Sequence, residues 1–250
     1  MARAFKEKKF FCQVFDSLES KHDIWTKNGP HLDRVKTWLS DSGARVFCVK
    51  HSHDKLLAEG LVPYGCLLLD PRSHVQDFIE NPHPEVKYFT SSMVHPTTID
   101  RLIEKKANFW VYHALVGAGE RELLKKHGKH MLCGGGSTAA TRGMSVLHAL
   151  GFRRFTCIAF DSCYWERPDL ETKLPDGNPL YYKVNINGRE FYSDGQLLAQ
   201  AQDFDRLLRD AHFYDINVVG DGVCRHIWNS LRIDMKDFQT VYETGVQQNA

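Results

Sequence analysis

Three glycines, Gly134, Gly135 and Gly136, followed at once by Ser137 and Thr138, are the residues whose types and spacing most suggest chemistry. They stand between a short apolar run ending at Cys133 and a segment whose apolar residues, Ala140, Met144, Leu147 and Leu150, recur at helical spacing. Ser137 and Thr138 occupy the helix-capping position. A glycine turn opening a helix presents backbone N–H groups and the positive end of the helix dipole, which together bind anions. A phosphate group is the natural ligand. The pattern is neither the dinucleotide fingerprint GxGxxG nor a P-loop, since no Lys follows. The alternative use of the same residues is a tight strand-to-helix turn that needs glycine only for its backbone.

Two acids stand where strands end. Asp161 closes the apolar run Phe155–Phe160, and Asp70 closes Cys66–Leu69 in the phrase LLLDPR. Carboxylates at strand ends suit catalysis or a shared Mg²⁺, which favours carboxylates together with substrate phosphates. They serve equally well as turn caps. Thirteen histidines are present, without the spacing of a zinc site. His51, His53, His74, His95 and His113 follow strand-like runs, and His226 follows the last of them. Of these, His53 is the candidate general base. Arg72, Arg142 and Arg225 are candidate phosphate clamps, with Arg142 one turn into the glycine-led helix. Tyr164, Trp165, Tyr181, Tyr182 and Tyr192 either stack on a heterocycle or pack a local insertion, the second being the commoner use.

The elements that must position these residues alternate. Strand-like runs fall at Arg45–Val49, Cys66–Leu69, Lys87–Phe89, Phe109–Tyr112, Met131–Cys133, Phe155–Phe160 and Ile216–Val219. Helical patterns lie between most of them, at Leu32–Leu39, Asp54–Glu59, Val75–Glu80, Thr97–Lys105, Ser137–Leu150 and Gly195–Ala211. Such alternation predicts an α/β fold, Rossmann-like, with a mostly parallel sheet and helices on both faces. Leu180–Val184 and Arg189–Tyr192 flank a hairpin turn, so an inserted hairpin is expected within about 165–193, as a lid or wall near the site or as a surface feature. Residues 1–27 read as an irregular segment, 28–234 as the domain and 235–250 as a tail.

The formal charge of +1 gives no basic footprint for nucleic acid. No apolar run is long enough to span a bilayer, and the charged start lacks the apolar stretch of a signal peptide. Seven scattered cysteines, an odd number without CxxC, read as core residues of a reduced protein. The expectations are therefore a cytoplasmic location, a small-molecule substrate, and neither nucleic-acid nor membrane partners. An oligomer is compatible with the sequence.

Three blocks resemble a known family in order. NGPHL at Asn28–Leu32 is similar to its opening glycine–proline turn. Arg45–Pro71 is similar to its block of strand, helix and Asp-Pro, and Gly134–Asp161 to its block of glycine turn, small-residue helix, strand and acid; the later helix Gly195–Ala211 and the Gly220-Asp221-Gly222 turn resemble its tail, so the resemblance runs from about Asn28 to Trp228. The family is that of the 6-hydroxymethylpterin diphosphokinase MptE-like proteins, related to motility accessory factor glycosyltransferases and bacterial sialyltransferases. The resemblance implies a Rossmann-like sheet and a transferase using a nucleotide donor, ATP or a nucleotide sugar. Its leading version is diphosphate transfer from ATP to a hydroxymethylated heterocycle such as a pterin, with Mg²⁺ as cofactor on Asp70 and Asp161. The alternatives are a glycosyltransferase using a CMP-type nucleotide sugar and a non-catalytic nucleotide-binding or assembly protein. Carried onto this chain, the first glycine turn falls on Gly29 and Pro30 and the second on Gly135, Gly136, Ser137 and Thr138; with Gly134 and Arg142 beside them, Gly29 and the second turn are the expected phosphate-binding residues. The chain departs from the family in having LLLDPR where diphosphokinases pair two acids, and in the polar Ser17–Lys27 before the opening turn. A first strand displaced to Phe10–Phe15 is one outcome of that departure.

Overall fold

In the computed structural model, the described residues are 11–15, 44–50, 52–115, 122, 125, 132–210 and 215–231. In chain order the elements are β1 (Phe11–Phe15), β2 (Arg45–Val49), α1 (Ser52–Ala58), β3 (Gly65–Leu68), a 3-10 helix (Ser73–Ile79), β4 (Lys87–Ser91), α2 (Pro96–Glu104), β5 (Asn108–Ala114), β6 (Leu132–Cys133), α3 (Ala139–Ala149), β7 (Arg154–Ile158), β8 (Tyr181–Ile186), β9 (Arg189–Asp194), α4 (Gly195–Asp210), β10 (Asp215–Val219) and α5 (223–231). They divide into two compact units: Met1–Phe160 with Phe213–Val219, and Asp161–His212 with Gly220–Ala250.

The first unit is built on an eight-stranded sheet in the order β10-β7-β1-β2-β3-β4-β5-β6. Every pairing in it is parallel. This is the expected α/β, Rossmann-like arrangement. A parallel sheet must be covered on both faces, and β3 shows why its sequence is uniformly apolar: all four residues, Gly-Cys-Leu-Leu, are buried. Cys66 and Leu68 face one way. With Cys48 of β2 and Tyr88 of β4 they form a core against Leu56 of α1, Val75 and Ile79 of the 3-10 helix, and Leu102 of α2. Leu67 faces the other way, against α3. A Cβ on Gly143 would stand 2.4 Å from Leu67 Cδ1. Glycine is therefore what allows α3 to lie this close to β3.

Several boundaries differ from the sequence reading. Phe11–Phe15 lies within the segment read as irregular, yet it forms β1 and pairs with both β2 and β7. The sheet thus begins well before residue 28, and the displaced first strand is the outcome observed. The run Phe155–Phe160 stops as a strand at Ile158 because Ala159 turns to φ +55°. The expected helix Val75–Glu80 is a 3-10 helix over Ser73–Ile79. The expected helix Leu32–Leu39, the turn at Asn28–Leu32 with Gly29, the residue His51 and the tail 235–250 lie outside the described residues.

The second unit contains the inserted hairpin. β8 and β9 pair antiparallel from Tyr181↔Asp194 to Ile186↔Arg189. Asn187 and Gly188 form the two-residue turn with φ +52° and +80°, the combination that Asn-Gly adopts most readily. The hairpin continues into α4. Phe191, Ala201, Phe204, Val223 and Cys224 are buried here. Tyr164 packs edge-on against Tyr181 and donates to Asp194 at 2.6 Å, so these aromatic residues serve packing. Val184, Ile186, Leu198, Ala201, Val223 and Ile227 line an open apolar groove of about 480 Å³ within this unit. No helix among the described residues is long and apolar enough to cross a membrane.

Candidate functional site

All strands of the first unit point the same way, so the residues that follow them gather along one edge. After β2 comes Lys50, and after β3 come Asp70 and Arg72. Lys50 Nζ donates to Asp70 Oδ2 at 2.7 Å. Arg72 embraces the same carboxylate, with Nη2 at 2.5 Å from Oδ2, Nε at 2.8 Å from Oδ1, and its backbone N–H at 3.0 Å from Oδ1. Burial would raise the pKa of Asp70, but the hydrogen bonds from Arg72 and Lys50 outweigh it and hold the carboxyl well below the usual range. Asp70 is thus ionised and enclosed by two cations.

The glycine turn leaves β6 and enters α3. Thr138 caps the helix: its hydroxyl accepts from Thr141 N, and the Thr141 hydroxyl accepts from Thr138 N, a reciprocal capping box. A connection between parallel strands returns its helix antiparallel to them. The contact of Gly143 with Leu67 then fixes the level of the helix start. Thr138 lies five residues before Gly143, about 7.5 Å along the axis. Asp70 lies three residues beyond Leu67, about 10 Å along the strand direction. The amino end of α3 and the Lys50–Asp70–Arg72 cluster therefore reach the same edge of β3.

Within the turn the three glycines differ. Gly134 and Gly135 are exposed and Gly136 is buried. A Cβ on Gly134 would meet no atom within 4 Å. Gly135 has φ +115°, and a Cβ there would stand 2.6 Å from Ser145 Oγ and 3.3 Å from Arg142 Cα. Gly135 is thus needed for the turn itself, whereas Gly134 faces open space.

Arg142 and His53 have their side chains directed inward. Arg142 is buried, and its Nη1 donates to the carbonyls of Leu115 and Cys133 at 2.8 Å each. It ties α3 to the ends of β5 and β6 and presents no clamp to solvent as it stands. His53 is wholly buried in α1. Its Nε2 meets Tyr88 Oη at 2.7 Å and its Nδ1 meets Asp54 Oδ1 at 2.7 Å. With both nitrogens engaged in the core, it reaches no acceptor in this arrangement. Among the other strand-end histidines, His95 caps α2 and His113 Nδ1 meets Ser92 Oγ at 3.0 Å. In the second unit, Arg225 stacks over Trp228 at 4.3 Å, and His226 approaches Asp221 Oδ1 at 3.3 Å.

Asp161 belongs to the second unit. Its Oδ2 accepts from Trp165 Nε1 at 3.3 Å. The Gly220-Asp221-Gly222 turn packs directly on it: a Cβ on Gly222 would stand 2.5 Å from the Asp161 backbone. Ala159 and Ser162, on either side of it, both have φ +55°. Such left-handed backbone is costly in residues other than glycine and persists where surrounding structure fixes it.

This donor set does not fit a shared Mg²⁺. Asp70 already has both oxygens on Lys50 and Arg72. Among the described residues no group of three His, Cys, Asp or Glu side chains is arranged to hold a metal. Sequence reasoning missed Lys50 as the partner of Asp70. The available signal was a lysine and an aspartate each just past a buried strand run, but strand adjacency was needed to join them.

No curated protein matches the sequence. Among solved structures, the MAf glycosyltransferase from Magnetospirillum magneticum AMB-1 is similar in fold, with a TM-score of 0.61 at 15% identity. The likeness covers 84% of this chain and 33% of that one, so the chain spans about a third of the length of that protein. The family of 6-hydroxymethylpterin diphosphokinase MptE-like proteins matches residues 2–167. That match covers more than half of the sequence, including β1 to β7, the Lys50–Asp70–Arg72 cluster and the glycine turn, and the chain therefore belongs to the MptE-like family.

Proposed function

We propose that the protein is a nucleotide-dependent transferase that holds its donor's phosphate on the Gly134–Thr138 turn. The observation that carries this reading is the open space over Gly134 at the amino end of a capped helix, on the carboxyl edge of a parallel sheet. Because the acids do not fit a metal, the charge that develops on a leaving phosphate would be met by protein donors. This favours transfer from a nucleotide sugar. An acceptor hydroxyl oxygen bonds to the sugar's anomeric carbon, and the bond from that carbon to the phosphate oxygen breaks. The nucleotide phosphate leaves with the electron pair, and the acceptor's proton passes to a base. Among the described residues, His113, held by Ser92 at the end of β5, is a histidine on this edge suited to that role. Diphosphate transfer from ATP is the second reading, and the family description favours it.

The test is a thermal-shift panel of ATP, CTP, CMP and UDP-sugars, in EDTA and in Mg²⁺, on the natural protein and on Gly134→Val. A bound nucleotide raises apparent stability by mass action. The expected result is a shift in EDTA with a cytidine or uridine nucleotide that Gly134→Val removes while its unliganded melting is unchanged. A shift seen with ATP and only in Mg²⁺ would favour diphosphate transfer. No shift with any nucleotide in either condition would refute the reading.

A further inference from the structure

We propose that Lys50 and Arg72 form an anion clamp for the donor's phosphate, and that Asp70 is the counter-charge that holds the two cations at the edge of β3. The proposal rests on the transferase reading above and names the groups that would recognise its ligand.

The cluster has a charge imbalance. Two cations share one carboxylate, so the trio carries a net charge of +1. It is also partly sheltered: 12% of the Asp70 side chain and 20% of the Lys50 side chain are exposed, against 51% for Arg72. An exposed ion pair needs no further explanation, because it stabilises little and costs little. A lysine largely withdrawn from water is different when it shares one carboxylate with an arginine, because two cationic heads then stand side by side at the strand end. One carboxylate balances one of the two charges, and an incoming anion would balance the other.

The geometry around Arg72 fits such a role. Its guanidinium is fixed by two-point contact with Asp70 through Nε and Nη2, which orients its plane while leaving half of the side chain in solvent. Arginine is suited to phosphate because its planar fork can serve two oxygens. Lys50 adds a point charge from the neighbouring strand. The amino end of α3 reaches the same edge through the Gly143–Leu67 contact, so the helix dipole reinforces the same sign of potential. The ligand class is a phosphate ester or diphosphate, recognised through charge rather than through its base.

The experiment measures binding of pyrophosphate, CMP and ATP by calorimetry in EDTA and in Mg²⁺, with cytidine as the uncharged control. The proteins are the natural chain, Lys50→Met, Arg72→Ala, Asp70→Asn and Gly134→Val, each checked for folding by circular dichroism. Arg72 is half exposed, so its replacement leaves the fold intact. Each cation variant is expected to weaken the phosphate ligands about tenfold or more in EDTA, and to flatten the dependence of affinity on salt. Cytidine should be unaffected. Asp70→Asn should weaken metal-free binding less than either cation variant, because it frees the two cations it holds but also removes a negative charge from beside the anion. Loss of binding in Asp70→Asn with undiminished binding in Lys50→Met and Arg72→Ala would overturn the clamp and restore Asp70 as a metal ligand. Undiminished binding in both cation variants, with loss in Gly134→Val, would overturn the clamp but leave the transferase reading standing. Failure of the natural protein to bind any of the three phosphates would overturn both.

Discussion

Replacing Gly143 by alanine tests the contact on which the geometry of the edge depends. In the interior of an exposed helix this change stabilises by about 0.8–1 kcal/mol, because glycine has the greater freedom to lose. Here the new methyl would stand 2.4 Å from Leu67 Cδ1, 3.3 Å from Cγ and 3.4 Å from Cδ2. Leu67 is fully buried in β3. Overpacking of this kind costs about 1–3 kcal/mol. The two effects together predict a net loss of about 0–2 kcal/mol. Leu67→Ala alone should cost about 2–5 kcal/mol. In that background the Gly143 methyl finds room, so the same substitution should now stabilise by about 1 kcal/mol or more. The coupling between the sites is then about 1–3 kcal/mol. Urea unfolding of the four proteins measures it, and the nucleotide affinity of Gly143→Ala shows whether displacing α3 disturbs the edge. If Gly143→Ala alone stabilises by about 1 kcal/mol, and the pair adds within about 0.5 kcal/mol, then α3 does not press on β3 at this point. The shared level of Thr138 and Asp70 would fall with it.

Other outcomes follow from the same contacts. Arg142→Met should lower stability by about 1–3 kcal/mol, since it removes the guanidinium donor from the Leu115 carbonyl and one of two donors from the Cys133 carbonyl, which keeps the Leu115 N–H at 3.0 Å; stability unchanged in urea unfolding would argue against its structural role. Tyr88→Phe should cost about 1–3 kcal/mol, because the hydroxyl serves both His53 Nε2 at 2.7 Å and His83 N at 2.7 Å. A large loss of transfer activity in a Tyr88→Phe protein of unchanged stability would instead return His53 to a catalytic role. Asp70 supplies a pH dependence. Its folded-state pKa is depressed, so the unfolded chain binds the proton first on acidification. The stability it contributes is complete above its ordinary value of about 4 and is lost as the pH falls through and below that value. The natural protein should therefore exceed Asp70→Asn in unfolding free energy at neutral pH, and the gap should narrow steadily on acidification from about pH 5 to pH 2. A gap that stays constant over that interval would show that the carboxylate is not held as described.

The alternation of apolar strands with helical patterns was enough to read the parallel sheet, because burial on both faces leaves uninterrupted runs such as Cys66-Leu67-Leu68. The Asn-Gly hairpin was legible for a local reason, its two positive φ angles. β1 was harder. It is five residues long and its segment FCQVF carries a central glutamine, so composition alone gives little sign of a strand paired on both sides. The glycine turn and its threonine cap were visible because capping is decided within four residues.

Side-chain direction was not legible, and most of the site depends on it. Arg142 and Arg72 are the same residue type near the same edge. One turns inward to two carbonyls and the other is half in water, a difference set by which face of α3 meets the sheet and by the turn after β3. His53 follows a strand by only four residues, as a catalytic histidine often does. It lies on the face of α1 that meets Tyr88, and the register Cys66↔Tyr88 across β3 and β4 is what puts the tyrosine there. Asp70 shows the consequence for chemistry. A carboxylate at a strand end can ligate a metal, cap a turn or anchor a cation, and its own position in the sequence favours none of them. Lys50 decides the matter from twenty residues away, through the pairing of β2 with β3. Once that lysine and Arg72 occupy both carboxylate oxygens, the acid neutralises cations instead of collecting them. The edge then offers positive charge to a ligand, which is the property a phosphate-bearing donor requires.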